Sequence, residues 1–342
     1  MPLEKRSSSW DIMKNHSNIS VFIPHLGCPH RCSFCDQNSI SGTVRAPSPE
    51  EVEKFLKDAV SKLKMPERTE IAFFGGSFTA VSLDYQSQLL KIAAHYVRDC
   101  GLSGIRISTR PDAIDIRILK HLKQYPVHVI ELGAQSMDDR VLALNKRGHT
   151  SDDVRNACTL IKRYGFQLGL QMMTGLYESN FESDFKTAEE LISLEADMVR
   201  IYPTLVLKGT YLERLYRSGC YFPPDLETAV SECAKIYSLF ISAEIPVIRL
   251  GLHASTELES RLVAGPYHPA FKELCEGSLM LENVKRLLNG KPKGKVFVAV
   301  AEKSRSKMVG HHHRNLRKLK EDGYEVNLVS DPCLEKYQVK LL

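Results

Sequence analysis

The sequence predicts an α/β fold, namely a partial (β/α)6 barrel of the TIM type with a small C-terminal α+β extension. Short apolar runs alternate with longer helical patterns, which indicates parallel strands joined by crossover helices. Six such units over about 200 residues suit a barrel or partial barrel better than a short open sheet. Cysteine, glycine and polar residues directly follow the first four predicted strands, where the active sites of such barrels lie.

Each predicted barrel strand is a short apolar run that ends at turn or polar residues. In chain order the six runs are Ile19–Ile23, Glu70–Phe74, Gly104–Ser108, Val127–Leu132, Gln167–Met173 and Met198–Tyr202. Between and after them, apolar residues recur at the helical spacing of about 3.6 residues. These patterns predict helices over Glu50–Leu63, Leu83–Val97, Ile114–Leu122, Asp138–Leu144, Asp152–Tyr164, Phe181–Leu194, Tyr211–Ser218 and Leu226–Ala243.

After about residue 245 the pattern changes. Val247–Leu250 predicts a short strand, and Leu258–Gly277 is expected to be irregular. Further on, two predicted strands flank a basic helix near residues 313–320; these strands are Val296–Val300 and Glu325–Val329. We therefore divide the chain into a polar N-terminal tail (1–17), a barrel core (18–245) and a C-terminal extension (246–342).

The composition is that of a globular protein, with 342 residues of which 43% are hydrophobic and 25% are charged. No apolar run reaches the roughly 18 residues of a membrane span, so we expect no membrane partner. The first residues lack the apolar core of a secretory signal, which predicts a cytoplasmic protein. In that reducing compartment, the nine cysteines are interpreted as metal ligands, catalytic groups or core residues.

The charge is unevenly distributed along the chain. Residues 285–320 contain twelve Lys and Arg against one acidic residue, Glu302, which is a local net charge of +11. Because the whole chain carries +5, the remaining residues carry −6. A basic segment attached to a mildly acidic body is typical of proteins with phosphate-bearing partners, although a solvated surface also explains it.

Three of the cysteines form a C-x3-C-x2-C pattern in a loop after the first strand, namely Cys28, Cys32 and Cys35. Thiolates are soft ligands that suit an iron–sulfur cluster or zinc. A structural zinc site takes four protein ligands, so His25 or His30 would have to be the fourth. Three cysteine ligands to a four-iron cluster leave one iron open, as a catalytic metal requires.

This spacing, with Phe34 just before the last cysteine, resembles the signature of the radical S-adenosylmethionine (SAM) superfamily. The segment FFGGSF at 73–78 is similar to the family's glycine-rich segment, whose backbone approaches the methionine part of SAM closely. Six segments together resemble the radical-SAM part of the catalytic subunit of the Elongator complex and its short bacterial relatives: VFIPHLGCPHRCSFC, ISTRPDAI, ELGAQS, MMTGL, IYPTLVLKGT and GPYHPAF. The resemblance covers about residues 18–277. The roughly 65 residues that remain are too few for that subunit's acetyltransferase domain, so its acetyl-CoA-dependent reaction is not expected.

The resemblance implies a [4Fe-4S] cluster held by Cys28, Cys32 and Cys35. It also implies that the cluster reductively cleaves SAM to a 5′-deoxyadenosyl radical, which abstracts hydrogen from a substrate, with electrons from a flavodoxin- or ferredoxin-type donor. The SAM-contacting residues that it implies are Gly75, Gly76, Ser77, Ser108, Arg110, Gln135, Arg147 and Gln171. Ser108 and Gln171 depart from coproporphyrinogen-oxidase-like relatives, which carry acidic residues there.

Other interpretations of these polar residues stay open. Gln135 would also suit a helix cap, and Arg147 would also suit a surface pair with Asp138 or Asp139. Arg110 would alternatively bind an anionic group of the substrate, because its guanidinium matches carboxylate or phosphate.

Four residues are candidates for substrate contact or proton transfer and are our predicted catalytic residues: Tyr202, Lys208, Tyr267 and His268. Tyr202 ends the sixth strand and Lys208 follows it. The GPYHPAF segment would equally form a rigid structural turn, because its two prolines restrict the backbone.

Three functional hypotheses follow. The first is modification of a tRNA base, supported by the Elongator resemblance and the basic segment. The second is lyase or rearrangement chemistry on a free small heterocycle such as a modified nucleobase. The third is a zinc-bound nucleic-acid-binding module, which leaves the glycine-rich and GAQS segments unexplained.

Overall fold

The computed structural model describes residues 17–23, 28, 32–35 and 45–342. Most of the predicted N-terminal tail, and His25 and His30, which were considered as zinc ligands, lie outside these residues. The described strands are β1 (Ser17–Phe22), β2 (Thr69–Phe74), β3 (Gly104–Thr109), β4 (Val127–Gln135), β5 (Gln167–Thr174), β6 (Met198–Pro203), β7 (Val206–Leu207), β8 (Val247–Leu250), β9 (Leu262–Ala264), β10 (Gly294–Val300), β11 (Tyr324–Ser330) and β12 (Val339–Leu341). The described helices are α1 (Pro49–Ser61), α2 (Leu83–Cys100), α3 (Ile116–Leu122), α4 (Asp139–Leu144), α5 (Ser151–Arg163), α6 (Phe181–Ser193), α7 (Tyr211–Arg217), α8 (Leu226–Ser242), α9 (Thr256–Arg261), α10 (Phe271–Leu288), α11 (Arg305–Val309) and α12 (Arg314–Glu321).

The main sheet has seven parallel strands in the order β1-β2-β3-β4-β5-β6-β8. It curls into a half-barrel with crossover helices, so the predicted partial TIM-type barrel is confirmed. The sheet contains one strand more than the six predicted, because β8 pairs with β6. The predicted core boundary at residue 245 therefore falls just before the last strand of this sheet.

The two faces of the half-barrel differ in chemistry, because successive residues of a strand point to opposite sides. The outer face is apolar and packs under the helices; in β2 and β3 it presents Ile71, Phe73, Ile105 and Ile107, all of them buried. The inner face alternates with it and carries charged side chains in five strands: Glu70, Arg106, Glu131, Arg200 and Arg249. We call this second surface the inner face.

The C-terminal extension is α+β, as predicted. Strands β10 and β11 are parallel, and β12 adds antiparallel to β10, which gives a small sheet in the order β11-β10-β12. Helices α11 and α12 connect β10 to β11. None of the helices in the described part of the chain is long and apolar enough to cross a membrane.

The prediction that Leu258–Gly277 is irregular is wrong. This stretch contains most of α9, strand β9 and the first residues of α10, an 18-residue helix with a buried apolar side. Helix α10 begins without a side-chain cap and has Gly277 in its interior. Both features weaken a helical pattern in the sequence, although burial of one helix side against α8 stabilises it in the fold.

Candidate functional site

The cysteine loop is fixed to the barrel through Ser33, which is fully buried. The Ser33 hydroxyl donates to Oδ1 of Asn145 at 2.6 Å, and its N–H donates to the Asn145 carbonyl oxygen at 3.0 Å. The Ser33 carbonyl oxygen accepts from the N–H of Leu212 at 2.7 Å. Since Asn145 follows α4 and Leu212 lies in α7, both helices hold the middle of the cysteine loop in place.

Arg147 lies against this loop and is buried. Its Nη1 donates to Sγ of Cys32 at 3.1 Å, and its Nη2 donates to the carbonyl oxygen of Gly133 at 2.6 Å. The guanidinium also lies near the ring of Phe34, with 5.9 Å between Cζ and the ring centroid. Arg147 therefore connects the cysteine loop to the end of β4.

The alternative surface pairing of Arg147 with Asp138 or Asp139 is wrong. The Asp138 carboxylate caps α4, and Asp139 accepts from the N–H of Ser151. The alternative helix-capping role of Gln135 is also wrong, because the α4 cap is Asp138. Gln135 instead ends β4 with a φ of 67°, at an irregularity in the pairing with β5.

The glycine-rich turn after β2 takes the conformation that only glycine adopts easily. Gly75 and Gly76 have φ values of 81° and 43°. A Cβ added to Gly75 would lie 3.3 Å from the backbone oxygen of Ile23, so the turn packs closely on the chain that leads to the cysteine loop. Ser77 is buried, and its hydroxyl lies 2.7 Å from the hydroxyl of Thr109 and accepts from the N–H of Arg110 at 3.2 Å.

Arg110 is buried and forms a two-bond ion pair with Asp112, at 2.9 and 3.1 Å. Its Nη2 also donates to the carbonyl oxygen of Arg147. Among the described residues, four buried polar atoms of this region have no hydrogen-bond partner: Nη1 of Arg110, Nε of Arg147, Nδ1 of His149 and Oε1 of Gln135. Because buried polar groups are normally paired, these atoms fit a region that receives a polar ligand such as SAM.

The three cysteines do not surround a single point. Within the described residues, no three Cys, His, Asp or Glu side chains are close enough together to hold one metal ion. Each cysteine ligand of a four-iron cluster binds its own iron, so its sulfurs are spread more widely than those around one zinc ion. Three thiols in one anchored loop, with a guanidinium donating to one of them, fit an iron–sulfur cluster.

Glu131 organises the inner face and was not among the predicted site residues. Its carboxylate accepts from Arg200 at 2.7 and 2.9 Å, from Arg106 at 2.8 Å and from Gln171 at 2.7 Å. Burial raises the pKa of Glu131, but the guanidiniums of Arg200 and Arg106 outweigh burial and hold that pKa below its usual range. Gln171 also donates to the hydroxyl of Ser108 at 3.3 Å. The Glu131 carboxylate is thus bonded directly to Gln171, and Gln171 connects it to Ser108.

The sequence does contain a signal for this network. Several predicted strands have one charged residue inside an otherwise apolar run, for example Arg106 in GIRIS, Glu131 in VIELG and Arg200 in MVRIY. Charged residues are rarely buried in a strand unless they are paired. Charged residues of both signs in neighbouring parallel strands therefore indicate a polar inner face.

His149 is a second residue that the sequence analysis missed. It is buried, and its Nε2 lies 3.2 Å from the carbonyl oxygen of Ala134. Burial, together with the nearby charges of Arg147 and Arg110, lowers the pKa of His149 to about 4. His149 is therefore neutral at pH 7, and its Nε2 carries the proton that bonds to Ala134.

The predicted catalytic residues fall into two groups. Tyr202 lies on the inner face two residues after Arg200, and burial raises its pKa. Lys208 is exposed and donates to the backbone oxygen of Ser260 at 3.0 Å, and Tyr267 donates to Glu259 at 2.7 Å.

His268 belongs to the second group. Its Nδ1 accepts from the N–H of Ala270 at 3.0 Å, and its ring packs on that of His311, with centroids 5.4 Å apart. These contacts favour a structural turn for GPYHPAF. The structure therefore places Tyr202 on the inner face and does not group Lys208, Tyr267 or His268 with it.

Comparisons with known proteins point to one enzyme superfamily. Residues 22–192 match the radical SAM superfamily, and residues 196–280 match the radical SAM C-terminal domain. The tRNA uridine(34) acetyltransferase of Methanocaldococcus jannaschii is 28% identical over 252 residues, which are 62% of this chain and 47% of that protein. Elongator complex protein 3 of Dictyostelium discoideum is 29% identical over 193 residues, 51% of this chain and 34% of that protein. The chain thus spans less than half the length of these two relatives.

The fold has a counterpart among solved structures. The archaeal Elp3 of Methanocaldococcus infernus, with an N-terminal deletion, superposes with a TM-score of 0.60 at 20% identity, covering 81% of this chain and 63% of that one. At this identity the likeness concerns the fold. The superfamily match spans the cysteine loop, the glycine turn after β2, and Arg147. Since that match alone covers half of the sequence, the chain belongs to the radical SAM superfamily.

Proposed function

We propose that this radical SAM enzyme modifies a base of tRNA. The observation that carries the proposal is the similarity, over 62% of this chain, to a relative named for its action on uridine 34 of tRNA. The similarity to Elongator complex protein 3 supports the same substrate class. The zinc-bound nucleic-acid-binding module is not proposed further, because membership of an enzyme superfamily accounts for the cysteine loop.

The cofactors of this superfamily are a [4Fe-4S] cluster and SAM, which together supply a 5′-deoxyadenosyl radical when an electron is provided. We propose that Cys28, Cys32 and Cys35 hold the cluster. In this proposal the backbone of Gly75 and Gly76 faces the methionine part of SAM. The side chains that bind SAM are then Ser77, Ser108, Arg110, Gln135, Arg147 and Gln171.

In this proposal the protein chain orients the cluster ligands and the substrate, and it shields the reaction from solvent. Ser33 and Arg147 fix the cysteine loop, so the thiols need little rearrangement on cluster binding. The inner face presents Glu131 with Arg200 and Tyr202 to the substrate, inside a sheet whose outer side is closed by helices. We further propose that Tyr202 contacts the substrate, that a flavodoxin- or ferredoxin-type protein supplies the electron, and that the enzyme acts in the cytoplasm.

The basic segment supports an RNA substrate. Part of its charge is neutralised within the fold, because Arg314 and Lys318 pair with Glu227, and Lys285 pairs with Asp322 at 2.8 Å. Other members are exposed, and among the described residues they form no ion pair: Lys291, Lys295, Lys303, Arg317 and Lys320. These exposed charges suit contact with backbone phosphates, which makes binding fall steeply with salt.

A salt titration of tRNA binding tests this role. The triple variant K295Q/K303Q/R317Q should bind tRNA more weakly, and the slope of log Kd against log salt should fall by about 0.7–0.9 for each phosphate that is no longer neutralised. A matched control neutralises three exposed lysines of α1 and α2, as K54Q/K57Q/K91Q. Equal slopes for wild type and both variants would remove the basic segment from the proposal.

The reaction itself is tested with the reconstituted, reduced enzyme and SAM. We expect tRNA to accelerate 5′-deoxyadenosine formation and to acquire a mass change in one nucleoside. Acceleration by a pool of free heterocycles, with none by tRNA, would instead support lyase or rearrangement chemistry on a small molecule.

A further inference from the structure

Two arginines lie side by side on the inner face, at the open edge of the half-barrel. Arg200 on β6 and Arg249 on β8 are direct partners in the register of these strands. Neighbouring strands lie about 4.8 Å apart. Like charges in directly opposed positions destabilise a sheet. An arginine pair in this position therefore points to a compensating negative charge.

The carboxylate of Glu131 forms an ion pair with Arg200, the first of these two arginines. The Nε and Nη2 of Arg200 donate to Glu131, and the Cζ of Arg200 lies 5.3 Å from the centroid of the Phe74 ring. The same carboxylate also accepts from Arg106, which pairs in addition with the buried carboxylate of Glu70, so these two carboxylates balance the charges of Arg106 and Arg200. Arg200 is thus held rigidly, and Glu131 has no remaining charge to offer to β8.

Arg249 has only neutral partners among the described residues. Its Nε donates to the backbone oxygen of Gly251 at 3.1 Å, and its Nη2 donates to Nδ1 of the His253 ring at 3.0 Å. No carboxylate in the described ranges forms an ion pair with Arg249. These bonds orient the guanidinium and leave its positive charge uncompensated.

The surroundings of Arg249 are open and polar. Arg200, Tyr202 and Arg249 are each partly exposed, so they face accessible space and not the packed core. Tyr202 lies close enough to Arg200 and Arg249 for both positive charges to act on its hydroxyl. A tyrosine hydroxyl is a donor that, like a guanidinium, bonds to oxyanions.

We propose that Arg249, together with Arg200 and Tyr202, forms a binding site for an oxyanion of the substrate, either a carboxylate or a phosphate. A guanidinium fork matches both groups with two parallel hydrogen bonds. The inference depends on the proposed function in one respect only, namely which substrate molecule carries the oxyanion. In an RNA substrate the oxyanion is a phosphate or a carboxylate already attached to the target base.

Thermal unfolding of the reconstituted holoenzyme, without SAM or reductant, tests the site. Sodium acetate and sodium phosphate serve as the probes, at an ionic strength held constant with sodium chloride. A ligand that binds only the folded state raises Tm in a concentration-dependent way. We expect a saturable rise with at least one probe. A response to acetate identifies a carboxylate site, and a response to phosphate identifies a phosphate site.

Variants assign the response to Arg249. R249Q should weaken the apparent affinity for the active probe at least tenfold, and R249K should weaken it less, because the charge stays while the fork is removed. R163Q, which changes an exposed arginine at the end of α5, should keep the wild-type affinity.

Two results would overturn the proposal: no saturable rise for the wild type with either anion, or a wild-type affinity in R249Q. If R249Q does not fold, R249K takes its place in the test. An affinity of R249K for the probe equal to that of the wild type then contradicts the proposed site. The titration involves no radical chemistry. An enzyme that fails to respond to tRNA but binds the anion through Arg249 would refute the proposed function and leave this site standing.

Discussion

Arg147 joins the parts of the site at the scale of single residues. One guanidinium contacts a cysteine sulfur, the end of β4 and an aromatic ring of the cysteine loop. Hydrogen bonds and positive charge near cluster sulfurs stabilise the more negative, reduced state of a cluster. We therefore expect Arg147 to raise the reduction potential of the cluster, in addition to the SAM contact proposed for it.

Replacing Arg147 tests this electrostatic role. In R147Q the ratio of reduced to oxidised cluster at a fixed potential should fall about tenfold, equivalent to about 59 mV for one electron. R147K keeps the charge and should shift the potential less. The measurement is a redox titration followed by electron paramagnetic resonance, on samples with equal iron content. An unchanged potential in R147Q would show that Arg147 acts only through SAM or through packing.

His149 makes stability depend on pH. The unfolded side chain takes up a proton near pH 6.5, whereas the folded one does so only near pH 4. Between these values the unfolded state binds more protons, so stability should fall as the pH is lowered from about 6.5 to about 4, by up to about 3 kcal/mol.

The variant H149Q keeps a donor for Ala134 and removes this titration. The pH dependence of wild-type stability also includes a contribution from Asp184. Burial raises the pKa of this carboxyl from 3.8 to about 7. Stability from that carboxyl is lost as the pH rises through this range, which opposes the effect of His149. The informative quantity is therefore the difference between H149Q and wild type in urea unfolding across pH 4–7. A constant difference would mean that His149 does not titrate as described.

Single residues show clearly what the sequence reveals and what it does not. The cysteine trio stands out in the sequence because its three members lie within eight positions of one loop. The network around Glu131 was not, since it depends on the registers of β3, β4, β5 and β6, which join residues far apart in sequence. The role of Arg147 was predicted as a SAM contact, whereas its bond to Cys32 emerges only in the fold.

At the scale of elements, the inner face requires glycine where the Glu131 carboxylate is packed. Gly169 on β5 is the direct neighbour of Glu131 on β4, and a Cβ there would lie 2.7 Å from Cγ of Glu131. The carboxylate cannot swing away easily, because Arg106, Arg200 and Gln171 all hold it. The side-chain network thus restricts the backbone of the neighbouring strand.

Two alanine substitutions separate the steric effect of Glu131 on Gly169 from the general destabilisation that glycine causes in regular secondary structure. G169A should destabilise the protein by about 1–3 kcal/mol, as expected for overpacking. G277A lies inside α10, where the nearest atom to an added Cβ is 3.5 Å away, and should be neutral or stabilising by up to about 1 kcal/mol. Both are measured as changes in thermal unfolding. A G169A protein as stable as wild type would show that Glu131 is not held in place.

Strand and helix positions in the half-barrel were predictable to within a few residues, because hydrophobic periodicity reports burial directly. Two of the departures from the predicted pattern, one in the half-barrel and one in the C-terminal extension, have clear physical causes. Strand β4 continues through Gly133 to Gln135, since its pairing with β5 tolerates an irregularity at the glycine. Helix α10 lacks a capping residue and contains a glycine, and it is stabilised by packing that the local sequence does not display.

At the scale of the whole molecule, the architecture separates four tasks. The outer helices and the apolar face of the sheet stabilise the barrel, and the strand ends carry the predicted cofactor residues. The inner face carries the charged side chains that we propose contact the substrate, and the C-terminal extension provides exposed basic residues. Fold class and cofactors followed from the sequence because they depend on local motifs and periodicity. The substrate does not follow from them, since the side chains proposed to contact it meet only across the half-barrel.

The most direct test of the account is cofactor chemistry after anaerobic reconstitution. Iron and acid-labile sulfide are counted, and the protein is then incubated with SAM and dithionite. The account predicts about four irons for each chain and the formation of 5′-deoxyadenosine, both of which a C28A/C32A/C35A variant should lose. A colourless protein that binds zinc, or a cluster that never cleaves SAM, would contradict it.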